Sequence, residues 1–131
     1  KFGQAVDTSI IDTGVLLKSY FGITSAVVHT SVTIEDIKRA LADHQIVIVP
    51  TDGRKLQNPH FKQPGPPRHM LVIIGYNDET REFTVNDPGT RKGQGYRYPQ
   101  TVLFDALLDY ATGKHIPVAS ADKVMLTVSR Y

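Results

Sequence analysis

The chain has 131 residues, enough for one domain, and its 40% hydrophobic and 21% charged residues suit a packed core. Fifteen basic and thirteen acidic residues are interspersed for a net charge of +2, so no basic stripe for a nucleic acid stands out. There is no cysteine, which excludes disulfides, thiolate metal sites and a thiol nucleophile among these residues, and no apolar run nears the roughly 18 residues of a membrane span.

The opening "KFGQAVDTS" has neither an initiator Met nor a signal-like apolar run. The spacing of Ile11, Val15, Leu16 and Tyr20 predicts a helix over about Thr8 to Tyr20. Asp7, Thr8 or Ser9 would cap it, and Gly22 would close it. "SAVVHT", residues 25–30, reads as a short strand. "TIEDIKRALADH" reads as a second helix, with Thr33 as N-cap and Glu35 and Asp36 at the positive end of its dipole. Ile34, Ile37, Ala40 and Leu41 form its apolar stripe. "QIVIVP" is a strand stopped by Pro50.

Residues 51–67 hold four of the eight prolines and show no apolar periodicity, so they form a loop longer than most connections. His69 to Tyr76 and Glu82 to Asn86 then make a hairpin through the turn-forming "NDETR". A glycine-containing loop follows from Gly89 to Gly95, then a brief "YRY" strand. "QTVLFDALLDYATG" predicts a third helix, capped at Gln100 or Thr101 and ended by Gly113. "KVMLTVS", residues 123–129, is a further strand. This order predicts a single α+β domain over residues 1–131 with a largely antiparallel sheet.

The hairpin gives His69 a partner. A turn centred on Asp78 pairs Tyr76 with Thr80, Ile73 with Phe83, Leu71 with Val85 and His69 with Asp87. A register one residue longer sets His69 opposite Pro88, still beside Asp87. The imidazole and the carboxylate then lie together at the open end of the hairpin, above an apolar layer. A carboxylate that accepts from one ring nitrogen fixes the tautomer and stabilises the imidazolium. The other nitrogen is left to take a proton from a nucleophile or a water. This is the base-and-orienter half of a nucleophilic triad. A purely structural His–Asp hydrogen bond at a sheet end has the same pattern, and the residues alone leave both readings open.

"HMLVIIGYNDETREFTVNDPGT" resembles the His-to-Asp segment of the C39-like peptidases, a branch of the papain-like cysteine peptidases. In that family a histidine opens a strand, a "GY" turn follows and a second strand ends in "NDP"; here these are His69, Gly75-Tyr76-Asn77 and Asn86-Asp87-Pro88. "IEDIKRALADHQIVIVP" and "YRYPQTVLFDAL" resemble the flanking helix and strand elements, so the similarity runs from about Thr8 to Leu108. The resemblance implies a papain-like fold, a mostly antiparallel sheet flanked by helices, with His69 as general base and acid and Asp87 as its orienting residue. It implies a peptide or protein substrate, no cofactor and no metal. It also points to a bacterial, extracytoplasmic setting.

One departure is large. The family opens a helix upstream of the histidine with a cysteine, and this chain has none. The preferred expectation is an N-terminally truncated domain whose nucleophile helix is missing, because "DTGVLLKSYFGITSAVV" looks like the family's second helix and following strand. The competing expectation places Ser9 where the nucleophile was. In either case the chain as written is expected to lack ordinary thiol-peptidase activity. The alternative function is a non-catalytic, peptidase-like module that binds peptides.

Other residues carry less. His60 with His69 and Asp87 would make a two-His-one-carboxylate metal site, but no close-spaced ligand motif supports it. The loop "LQNPHFKQPGPPR" is either a connector or a wall of a peptide cleft, with Phe61 as its one bulky apolar contact. "GTRKGQG" lacks the strand-to-helix setting of a phosphate loop. His29 reads as an edge-strand residue, His44 as a helix C-terminal residue and His115 as a turn residue. Tyr96 and Tyr98 alternate with Arg97 as a half-buried strand would.

Overall fold

The computed structural model describes residues 7–114, 116, 118 and 122–130; His115 lies outside them. In chain order the elements are α1 (Ile10–Ser19), β1 (Val27–His29), α2 (Ile34–Ala42) and β2 (Gln45–Thr51). A 3-10 turn, Gly53–Leu56, precedes β3 (His69–Asn77), β4 (Glu82–Asn86), β5 (Gln94–Pro99), α3 (Gln100–Ala106) and β6 (Met125–Ser129). The strands form one sheet in the order β1-β6-β2-β3-β4-β5, and every neighbouring pair is antiparallel.

Strand alternation divides the core between the two faces of this sheet. On β2, Val47 and Val49 join Leu71, Ile73, Phe83, Val85 and Tyr98 on the face covered by α2 and α3. Ile46 and Ile48 point the other way, toward Ile10, Leu126 and Val128 beneath α1. α2 is fixed at its start by a capping box: the Thr33 hydroxyl accepts from the Asp36 amide at 3.2 Å, and the Asp36 carboxylate accepts from the Thr33 amide at 2.9 Å.

On α1 the residues whose spacing predicts the helix face solvent: Ile11 is 59% exposed and Val15 is 56% exposed, while Ile10 and Gly14 are buried. Gly14 sits close to the sheet because a Cβ there would touch Leu126 and Val28 at 3.1 Å. The third helix ends at Ala106, well before Gly113. Leu107 turns to extended geometry there and bridges Thr51, and the Leu108 amide donates to the Pro50 carbonyl at 2.9 Å. Its first residue is preceded by Pro99, with no side-chain cap from Gln100 or Thr101.

The hairpin register also differs from the expected one. Tyr76 pairs with Phe83, not Thr80, and Ile73 pairs with Val85, not Phe83. The Asn77 side chain accepts from the amides of Glu79 and Thr80, and Arg81 takes a left-handed φ of 55°, so the turn is longer than one centred on Asp78. An irregularity between Ile73 and Gly75 then takes the pairing back by one step. Toward the open end the strands are offset by two residues from the expected pairing. An even offset keeps every side chain on its face. His69, Leu71 and Ile73 therefore still share a face with Phe83, Val85 and Asp87.

Candidate active site

His69 begins β3 and is backed by β2: its carbonyl accepts from the buried Thr51 hydroxyl at 2.7 Å, its register partner. Asp87 follows the last residue of β4, and its amide donates to the Gly93 carbonyl at 3.0 Å, which closes the loop between them. His69 Nε2 lies 2.6 Å from Asp87 Oδ1, and both residues are buried. Continuing the observed register, the residue straight across from His69 is Gly89. A Cβ there would stand 2.8 Å from His69 Cε1, so any larger residue would make the imidazole shift from its place against the acid.

The carboxylate is fully engaged. Oδ1 also accepts from the Gly89 amide at 2.9 Å. Oδ2 accepts from Tyr98 Oη at 2.7 Å, and that oxygen in turn accepts from Asn58 Nδ2 at 2.8 Å. Burial pushes the Asp87 carboxyl up, but the hydrogen bonds from His69, Tyr98 and the Gly89 amide outweigh it and hold the group below the usual carboxylate range. Burial, and the carboxylate that it faces, push the Tyr98 phenol above its ordinary value. The acid therefore stands ionised at neutral pH with a protonated phenol on its far oxygen.

The proline-rich loop is a cleft wall. Phe61 is buried and meets the His69 ring edge-on, with centroids 5.3 Å apart. With residues 62–66 on one side and Pro88 and Gly89 on the other, it encloses an open cleft of about 540 Å³ whose lining includes His69. Asp52 anchors the start of this loop: its carboxylate accepts from Arg54 Nε and Nη2, both at 2.9 Å. That pairing holds the Asp52 carboxyl below its ordinary value.

The remaining candidates lie elsewhere. The Ser9 hydroxyl caps α1 by accepting from the Asp12 amide at 3.1 Å. α1 packs on the Met70 face of the sheet, opposite to the face that His69 occupies. His60 is exposed and packs edge-on toward Tyr96, with its amide donating to Asn58 Oδ1 at 2.8 Å. Among the described residues no three His, Asp or Glu side chains gather to hold a metal ion. His29 is on edge strand β1, 2.8 Å from the Thr127 hydroxyl, and His44 follows α2 with a left-handed φ of 60°. No helix among the described residues is long and apolar enough to cross a membrane. Tyr98 and Asn58 are the site residues that sequence reading missed. The alternation of Tyr96 and Tyr98 placed Tyr98 on a strand face but named no partner for it.

The antiparallel sheet thus brings the His69 imidazole and the Asp87 carboxylate together beside the cleft that His69 lines. Residues 4–112 match the Peptidase_C39 like family, and the chain belongs to that family. It is also similar to the crystal structure of a Bacillus anthracis protein assigned to the C39-like peptidases, with a TM-score of 0.64 at 16% identity. That match covers 94% of this chain and 60% of the other, so the chain spans three-fifths of the length of the protein it resembles. The fold is the α+β fold of the C39-like peptidases. No curated protein matches the chain.

Proposed function

We propose that His69 is the general base and acid of a cysteine-peptidase site and that Asp87 orients it. The observation that supports this most strongly is the 2.6 Å contact between the buried His69 imidazole, which lines an open cleft, and the buried Asp87 carboxylate behind it. With Nε2 held by Asp87, Nδ1 is the nitrogen that exchanges protons. It takes the thiol proton as the sulfur attacks a peptide carbonyl, and it returns that proton to the leaving amine. It then takes a proton from the water that attacks the thioester and passes it to the departing sulfur, which restores the thiol as the acid leaves. The thiol is not among these 131 residues. The chain by itself therefore supplies the base and its orienter, with a peptide or protein as substrate.

The test is hydrolysis of a quenched-fluorescent peptide mixture by the full-length product of the gene. We expect His69→Ala to reduce the rate by roughly 10²–10⁴-fold and thiol alkylation to abolish it. Hydrolysis that survives both treatments overturns the reading. A wild-type product that binds the peptides without cleaving them overturns it in favour of a non-catalytic module.

A further inference from the structure

Tyr98 and Asn58 take no proton in the chemistry above, yet both are 2% exposed and built against it. A phenylalanine at position 98 would fill nearly the same space without a hydroxyl to satisfy. The hydroxyl is matched on both sides: it accepts from Asn58 and donates to Asp87 Oδ2. Because Asn58 Nδ2 occupies an acceptor position on the phenol oxygen, the phenol's own hydrogen is directed at the carboxylate. The terminal torsion of an aspartate is soft, so a carboxylate held through one oxygen alone can swing. Here each oxygen has its own donor side chain, His69 on Oδ1 and Tyr98 on Oδ2.

Asn58 extends this arrangement to the cleft wall. Its Oδ1 accepts from the His60 amide at 2.8 Å and its carbonyl accepts from the Phe61 amide at 3.2 Å. Phe61 returns to the His69 ring. One phenol thus joins the carboxylate to the loop that encloses the cleft.

We propose that Tyr98 is a positioning residue: its hydroxyl, oriented by Asn58, holds the Asp87 carboxylate in the rotamer that presents Oδ1 to His69 Nε2. This rests on the reading of His69 as the general base. It is tested in the full chain by following the Asp87 carboxyl carbon by NMR as pH is lowered. Tyr98→Phe removes a donor from the charged form, so the Asp87 midpoint moves to higher pH. Replacing Tyr98 with 3,5-difluorotyrosine keeps the shape and strengthens the donor, so the midpoint moves to lower pH. A purely structural phenol would not produce opposite shifts. Tyr96→Phe, the adjacent ring at 4.8 Å, leaves the midpoint in place.

In the hydrolysis assay Tyr98→Phe should lower kcat on the order of tenfold with KM little changed, the size of one charge-assisted hydrogen bond. An Asp87 midpoint that ignores both Tyr98 replacements, or that follows Tyr96→Phe equally, overturns the proposal. If the phenylalanine variant does not fold, the fluorinated protein still decides the sign. The titration needs no turnover, so shifted midpoints in a product that hydrolyses nothing sustain the positioning role and sink the peptidase reading alone.

Discussion

Gly89 shows how little freedom the pair has. Its added methyl would meet His69 Cε1 and Phe61 Cε1 at 2.8 Å, and Asp87 Oδ1 at 3.1 Å. Gly89→Ala should therefore cost about 1–3 kcal/mol, the usual range for overpacking, and move the His69 Cε1–H resonance; urea unfolding and one-dimensional NMR check both. A methyl on Gly93 would overlap the Asp87 carbonyl oxygen, whose backbone cannot yield as a ring can, so Gly93→Ala should be the more damaging of the two. Asp87 also gives the fold an acid dependence. A carboxyl whose folded pKa is depressed contributes stability that is complete above its unfolded value of about 3.9, and that stability is lost as pH falls through the folded value. Asp87→Asn should flatten the fall in Tm below about pH 4 without erasing it, because Asp36 and Asp52 are also depressed. At this scale the histidine and its acid were legible because both end strands of one hairpin. Tyr98 and Asn58 were not, because Tyr98 reaches the carboxylate from a third strand and Asn58 reaches Tyr98 from a loop, and no local pattern names such partners.

Among the elements, periodicity identified α1 as a helix but left its orientation open. Apolar residues lie on both of its sides, so the spacing of Ile11, Val15 and Leu16 fits a helix but does not say which side is covered. The covered side is Ile10 and Gly14, because the small glycine lets the helix approach β1 and β6. The assignment predicts unequal costs. Ile10→Ala should lose about 2–5 kcal/mol in urea unfolding, whereas Ile11→Ser should change it by less than about 0.5 kcal/mol. Equal losses would mean that the helix is rotated from the orientation described. The β3–β4 hairpin was legible in its strands and faces but not in its register. The turn length depends on the Asn77 side chain and the left-handed Arg81, and the irregularity after Ile73 leaves no mark in an unbroken apolar run.

For the whole molecule, helix and strand order was enough to read an α+β antiparallel class, but not the strand order within the sheet. β6 lies between β1 and β2, so Val27 pairs with a residue 100 positions later. No short-range pattern reports such a pairing. Leu126 is fully buried at that insertion, beneath α1, and Leu126→Ala should cost about 2–5 kcal/mol.

That insertion also orders events during synthesis. Chains leave the ribosome amino end first. β3, β4 and β5 are consecutive, so the imidazole and its acid can meet while later codons are still being read. β1 has no neighbour in the sheet until residues 125–129 emerge, and Ile10, Ile46 and Ile48 stay wet until Leu126 arrives to cover them. A nascent chain stalled short of that strand would present a finished hairpin attached to an open apolar half, the kind of surface that chaperones bind and proteases trim.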